Sequence, residues 1–302
     1  MPPPPRSSVI PAVAAVVLLV TAIGCGGSRA GVSGILGGPN APAASTHVVL
    51  VVEENHSYSQ VIGNSSMPYL NGLAAQYGLA TQYYANTHPS IGNYFMLTTG
   101  QIETNNSAFH GTVTDDNIVR ELVKANKTWR CYAESLPAAG YLGGDVYPYA
   151  QHHNPFTFFS DVIGTAQANN VVPFSDFSTD LNNGNLPDFS FIVPNLLDDA
   201  HDGTLTAADQ WLAANIGPLV KSNVFQNGGL LIITFDESVD TDSTNGGGHV
   251  ATLVIGPQIK PGYQSTTLYQ HQSTLQLVLS TLGVQAFPGA SAAAPGMGEF
   301  FK

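Results

Sequence analysis

From His47 to Val52 the chain reads HVVLVV, an unbroken apolar, β-branched run that stops at two glutamates. Apolarity without alternation predicts a strand buried on both faces, as in a parallel sheet. Residues 67–78, MPYLNGLAAQYG, change to helical spacing and close on Gly78. LATQYYAN, residues 79–86, predicts a second strand, and a short helix is expected from Ser90 through Leu97. DNIVRELVKAN, residues 116–126, predicts an amphipathic helix, and KTWRCYAE, residues 127–134, a strand. DFSFIVPN, residues 188–195, and GLLIITFDES, residues 229–238, predict two more strands, each apolar until it ends in polar residues. Between them TLTAADQWLAANIGPLVKS, residues 204–222, reads as a helix capped by Thr204 or Thr206. VATLVIGP, residues 250–257, predicts a strand and QHQSTLQLVLSTLG, residues 270–283, the last helix.

Strands alternating with helices predict an α/β fold with a mainly parallel central sheet and helices on both faces. Sites in such folds lie beyond the carboxyl ends of the strands. The polar clusters fall at those ends: Glu53-Glu54-Asn55-His56 after the first strand, Asn195 to Asp202 after FIVPN, and Asp236-Glu237 after LIITF. Clusters at the ends of neighbouring strands converge in space.

Composition narrows the chemistry. The 302 residues carry a net charge of -12 and only nine Lys and Arg, which excludes nucleic-acid binding through a basic surface. An anionic substrate must then be met by a metal ion, histidines or helix N-termini. Residues 1–25 read as an export signal, and TAIGC resembles a lipobox with Cys25 as the lipid-modified residue, although Ala22 stands where Leu is preferred. Ordinary signal cleavage nearby or a single membrane anchor are the other readings of this stretch. Residues 26–45 read as a flexible Gly/Pro/Ser/Ala tether and residues 46–302 as one domain. The expected location is the periplasm or cell surface, with membrane contact only through the N-terminal anchor. If Cys25 is lipidated, Cys131 has no cysteine to pair with.

Converging carboxylates repel one another, and a divalent cation is the usual remedy. Carboxylate and amide oxygens suit Mg, Mn, Ca or Zn. Asp198, Asp199 and Asp202 stand as readily for loop acids or helix caps. Asp236 and Glu237, directly off an apolar strand, fit that description less well. His153 in QHHNP and His201 in DDAHDG lie in dense polar clusters, where an imidazole can hold a phosphate oxygen or protonate a leaving group. In HPSIGNYF, residues 88–95, Ser90 is either a helix cap or a hydroxyl placed to attack. A cation at the strand ends would activate it without an adjacent base.

VVEENHSY, HPSIGNYFMLTTG, QHHNPFTFF, PNLLDDAHDG and ITFDES…GGGH, taken together, resemble the bacterial phosphoesterase family of acid phosphatases and phospholipases C, a branch of the alkaline-phosphatase-like superfamily. The resemblance runs from about His47 to about Gly283. It implies that Glu54 binds the metal and Asn55 metal or substrate. It makes Ser90 the nucleophile and Asn93 a phosphate-oxygen ligand. It places His153 on the substrate side and His201 against the phosphate or leaving group, and it makes Asp236 and Glu237 metal ligands. The chain departs from the family at Glu237, where its acid phosphatases carry a second aspartate. The PNLLDDAHDG segment lacks the Asp-x-x-x-His spacing of two-zinc relatives, so one cation is expected. The GGGH context of His249 resembles a ligand position in two-metal relatives, and its role stays open.

The expected activity is metal-dependent hydrolysis of a phosphomonoester through a phosphoserine intermediate, on a small phosphorylated substrate or a phospholipid headgroup. A phospholipase C-type diesterase is the nearer rival. A metal-independent serine esterase and a non-catalytic surface binding module are the others. The serine esterase is disfavoured because HPSIG lacks the first glycine of the strained Gly-x-Ser-x-Gly turn.

Overall fold

The computed structural model describes residues 1, 2, 4 and 42–302. The export signal, Cys25 and nearly all of the tether lie outside the described residues. Among those described, no helix is long and apolar enough to cross a membrane.

Among the described residues ten strands form two sheets: β1 Val48–Glu53, β2 Gly78–Ala80, β3 Tyr83–Tyr84, β4 Trp129–Ala133, β5 Val171–Pro173, β6 Phe189–Val193, β7 Leu230–Phe235, β8 Thr252–Ile255, β9 Gln264–Ser265 and β10 Tyr269–Gln270. The large sheet has eight strands in the order β5-β4-β6-β1-β7-β8-β2-β9, and β3 pairs with β10 in the small one. All six residues of β1 and of β7 are buried, so both faces of the sheet centre are covered. β1 runs parallel to β6 on one side and to β7 on the other, with Val51 opposite Ile192 and Ile233. β8 is antiparallel to both β7 and β2. The sheet is therefore mixed but mostly parallel.

The β6-β1-β7 adjacency decides where the site forms, because the three acidic clusters leave neighbouring strands at the same end. Backbone bonds join these exits: Asp236 N donates to Glu53 O at 2.9 Å, and Glu54 N to Asp199 O at 2.8 Å.

Two expectations change, and two elements appear that were not expected. LATQYYAN is not one strand. The chain turns at Thr81-Gln82 and splits into β2 and β3, which belong to different sheets. The long helix expected over residues 204–222 breaks at Ile216 into Leu205–Asn215 and Gly217–Lys221. Pro218 has no N–H to continue the hydrogen-bond ladder. β5 and the helix Ser175–Asn183 are not among the elements expected from the sequence; of that helix Phe177 and Asp180 are buried. As expected, Thr204 caps its helix, accepting from Ala207 N. The helix at Ser90 runs to Thr99 and closes on Gly100, whose φ of 70° suits glycine.

Candidate active site

Ser90 is the first residue of the helix Ser90–Thr99, and its side chain makes no cap hydrogen bond. Its hydroxyl instead lies 3.1 Å from Glu54 Oε2 and 3.3 Å from Glu237 Oε1. The loop before it is fastened by Asn93. Asn93 Oδ1 accepts from Asn86 N at 2.9 Å and Thr87 N at 3.2 Å, and its Nδ2 donates to Thr87 O at 2.8 Å. The phosphate role expected of Asn93 thus competes with a loop-holding role, with only a 3.4 Å approach of Nδ2 to Glu237 Oε2 left over. Gly92 is fixed by space: a Cβ there would lie 2.3 Å from Asn105 Oδ1 and 2.6 Å from Thr87 Cγ2.

Asn55 adopts a left-handed backbone, φ 58°, which asparagine tolerates better than most residues. Its N–H donates to Asp236 Oδ1 at 3.2 Å. The remaining oxygens, Asn55 Oδ1 and Asp236 Oδ2, are buried without a partner. Glu54 Oε2 and Glu237 Oε1, joined through Ser90 Oγ, add two more carboxylate oxygens to this set. Buried polar atoms left unpaired are rare, and this set suits a hard divalent cation. The residues present fit the metal that the sequence implies.

A second grouping adjoins the first. The ligand atoms of Glu54, His153 and Asp199 all lie within 4.8 Å of one another, and so do those of His88, Glu237 and Asp240. His153 Nδ1 is 3.3 Å from Glu54 Oε1 and 3.7 Å from Asp199 Oδ2. His153 Nε2 and Asp199 Oδ2 have no hydrogen-bond partner. Burial, then the neighbouring His152 and His201, hold His153 well below the usual imidazole range, so it is neutral. His201 sits further out and is one-third exposed. Its Nδ1 lies 2.8 Å from Asp202 Oδ1, and its ring centroid is 5.7 Å from that of His153.

Burial pushes the Glu54 carboxyl well up, and Asp236 and Asp199 add to the rise. Burial and then Asp236 push Glu237 up to about 9. Without a cation, then, the cluster retains protons near neutral pH.

Two participants were not singled out from the sequence, and a third was left open there. Tyr94, one helical turn after Ser90, donates to Glu54 Oε1 at 2.6 Å, and its ring stacks on His153 at 5.1 Å. His88 Nε2 lies 3.0 Å from Asp242 O, a pure acceptor, so it carries a proton; Nδ1 then faces Glu237 Oε2 at 3.0 Å. Asp199, evenly balanced in the sequence between ligand and cap, is a buried member of the cluster. The only available signal for Tyr94 and His88 was their closeness to Ser90 in the chain. His249 packs: its ring lies between Tyr58 at 4.3 Å and Tyr84 at 4.9 Å, with Nε2 3.1 Å from Thr81 O. Both carboxylate oxygens of Glu53 are buried without partners, and burial, then Asp199, pushes its carboxyl well up.

Comparison with known proteins identifies the family and the fold. A Phosphoesterase family profile matches residues 64–285. The chain is 36% identical over 239 residues to a phosphatidylinositol-3-phosphatase of Mycobacterium tuberculosis, covering 78% of this chain and 75% of the relative. It is 30% identical over 244 residues to an acid phosphatase of Aspergillus fumigatus, covering 76% of this chain and 53% of that protein; the chain therefore spans about half the fungal enzyme. Among solved structures, a Vibrio parahaemolyticus protein of the alkaline phosphatase superfamily superposes with a TM-score of 0.59 at 16% identity, covering 82% of this chain and 69% of that one. A phosphonate monoester hydrolase from Silicibacter pomeroyi gives 0.56 at 13% identity, covering 85% and 76%. These likenesses show the shared fold. The chain belongs to the Phosphoesterase family and is a hydrolase of phosphoric esters with an alkaline-phosphatase-like fold.

Proposed function

We propose that the chain hydrolyses phosphomonoesters at acid to neutral pH, with Ser90 as nucleophile and one divalent cation held by Glu54, Asn55, Asp236 and Glu237. The observation that carries this reading is the Ser90 hydroxyl, 3.1 and 3.3 Å from two of those carboxylates. When bound, the cation lowers the hydroxyl's pKa and offsets the charge of the phosphate.

The chain's own groups supply the rest. Ser90 Oγ donates its proton toward Glu54 Oε2 and attacks phosphorus in line. The bond to the leaving alcohol breaks as the Oγ–P bond forms, and the alcohol oxygen takes up a proton. Water then attacks the phosphoserine and frees Ser90 and phosphate. The helix N-terminus under Ser90 favours the negative charge that develops there. His201, at the mouth, donates to the phosphate or the leaving oxygen, and neutral His153 lines the substrate side.

The relatives' names point to two substrate classes, small monoesters and an inositol-lipid headgroup. A diester substrate is the rival. A second reading puts the cation on Glu54, His153 and Asp199, which the clustering of their ligand atoms favours. The test uses p-nitrophenyl phosphate and a phosphocholine diester with chelated and metal-restored protein. The reading expects monoester turnover that chelation abolishes, and acid-trapped phosphate on Ser90 by mass spectrometry. Turnover that survives chelation, or Ser90→Ala at wild-type rate, would overturn it. Loss of bound metal in Asp236→Ala but not His153→Ala separates the two cation readings. The reading also includes export with Cys25 lipidated, checked by fractionating cells that express Cys25→Ala.

A further inference from the structure

Glu237 turns its two oxygens to different partners. Oε1 lies 3.3 Å from Ser90 Oγ, whereas Oε2 lies 3.0 Å from His88 Nδ1. Across the same ring, His88 Nε2 lies 3.0 Å from the Asp242 carbonyl oxygen. A carbonyl only accepts, so Nε2 carries the ring proton and a neutral imidazole presents its Nδ1 lone pair to Glu237 Oε2. Two acceptors at that separation need a positive bridge, a proton or a metal ion. A ring N–H fixed on a backbone carbonyl, with the other nitrogen left bare, is the usual setting of a metal-ligating histidine.

Asp240 completes a third corner. His88, Glu237 and Asp240 each offer one ligand atom, and these atoms lie within 4.8 Å of one another. The loop that carries Asp240 and the Asp242 carbonyl is pinned in place. Ser238 N donates to Gly247 O at 3.0 Å, Ser238 Oγ to Asp242 O at 2.9 Å and Gly248 N to Thr244 O at 2.9 Å. The Asp242 carboxylate is taken up inside the loop, accepting from Thr244 N at 3.0 Å and His249 N at 3.1 Å. Asp240 is exposed and His88 partly so, which gives water access to the group.

We propose that His88 Nδ1, Glu237 Oε2 and an Asp240 carboxylate oxygen bind a second divalent cation, zinc by ligand type. One imidazole nitrogen with two carboxylate oxygens suits zinc better than magnesium, and three protein ligands leave the fourth position to water. The first site offers only oxygens, so the two sites sort cations by ligand chemistry. Glu237 joins them, with Oε1 on the Ser90 side and Oε2 on the His88 side. The zinc ties the loop of Asp240 to His88, two residues before Ser90. The site shares Glu237 with the cation of the proposed function, but its test does not depend on turnover.

The experiment titrates metal-free protein with zinc in excess magnesium, which fills the all-oxygen site, and reads calorimetry and bound zinc by atomic emission. Wild type should hold a zinc ion whose affinity falls by about tenfold or more in Asp240→Asn and in His88→Gln. His153→Gln should leave that affinity unchanged. If His88→Gln does not fold, Asp240→Asn, at an exposed position, still decides. Absence of bound zinc in the wild type, or unchanged affinity in Asp240→Asn, would overturn the site. Zinc lost in His153→Gln but kept in Asp240→Asn would also overturn it and move the nitrogen ligand to His153. Each of these results leaves the phosphomonoesterase reading to its own assay with the magnesium-loaded protein, where loss of monoester turnover would overturn that reading and leave the zinc site standing.

Discussion

The Tyr94 hydroxyl donates a 2.6 Å hydrogen bond to Glu54 Oε1, while Glu54 Oε2 accepts from Ser90. One buried carboxylate is thus gripped on one oxygen by the helix that carries the nucleophile, and its other oxygen faces the nucleophile itself. Hydrogen bonds to charged groups contribute about 1.5–3 kcal/mol. Tyr94→Phe keeps the stack on His153 and removes only this bond. It should lower kcat by roughly ten- to a hundredfold and weaken metal binding, with KM nearly unchanged. Steady-state kinetics and a metal titration check this; wild-type kcat and metal affinity would remove Tyr94 from the site's support.

Acidic pH should stabilise the metal-free protein. Glu237 rises from 4.5 to about 9, and Glu54 and Asp236 also rise. In the folded state these groups keep protons that the unfolded chain releases above about 4.5, so folding binds protons in that window. Stability is then full below the unfolded value and falls as pH climbs toward 9. A divalent cation replaces the protons and reverses the loss. Thermal melts should show a larger metal-induced rise in Tm at pH 8 than at pH 5. An equal rise at both would show that the carboxylates are not the ligands.

Gly92→Ala should damage catalysis more than its one carbon suggests. The added Cβ meets Asn105 Oδ1 and Thr87 Cγ2 far inside contact distance. Asn105 Nδ2 also donates to Thr87 Oγ1 at 2.8 Å, so one neighbour lies in the loop that sets Ser90 and the other is hydrogen-bonded to it. Overpacking of this kind costs about 1–3 kcal/mol. A lower Tm together with a lower kcat is expected, and full activity with an unchanged Tm would show that the loop gives way freely.

Asp209→Ala tests the fold apart from the chemistry. The helix Pro68–Gln76 has no side-chain cap of its own. Asp209, on Leu205–Asn215, accepts from Tyr69 N at 2.9 Å and Leu70 N at 2.8 Å. Removing this borrowed cap leaves buried amides unpaired, at about 1–3 kcal/mol. A lower midpoint of urea unfolding with kcat preserved at low temperature is the expected result, read from denaturation and assay on one preparation.

The sequence by itself determined the sheet centre, because β1, β6 and β7 are apolar but for Glu53, Ser190 and Thr234, and only a position covered on both faces accommodates that. It also determined that acids leave those strands together at one end, and that the shortage of Lys and Arg shifts anion handling onto a cation and histidines. Tertiary structure alone decided how the acids divide the work. Asp199, Asp236 and Glu237 are all strand-end acids in the sequence, but their oxygens differ in partners: Asp236 Oδ1 is satisfied by Asn55 N, whereas Asp236 Oδ2 and Asp199 Oδ2 are orphaned. It also decided that Ser90 faces carboxylates and not its own helix amides, that Tyr94 and His88 support those carboxylates, and that His249 is held between two tyrosines. These outcomes depend on contacts between residues far apart in the chain, such as Ser90 with Glu237 and Glu54 with His153, which local periodicity does not encode.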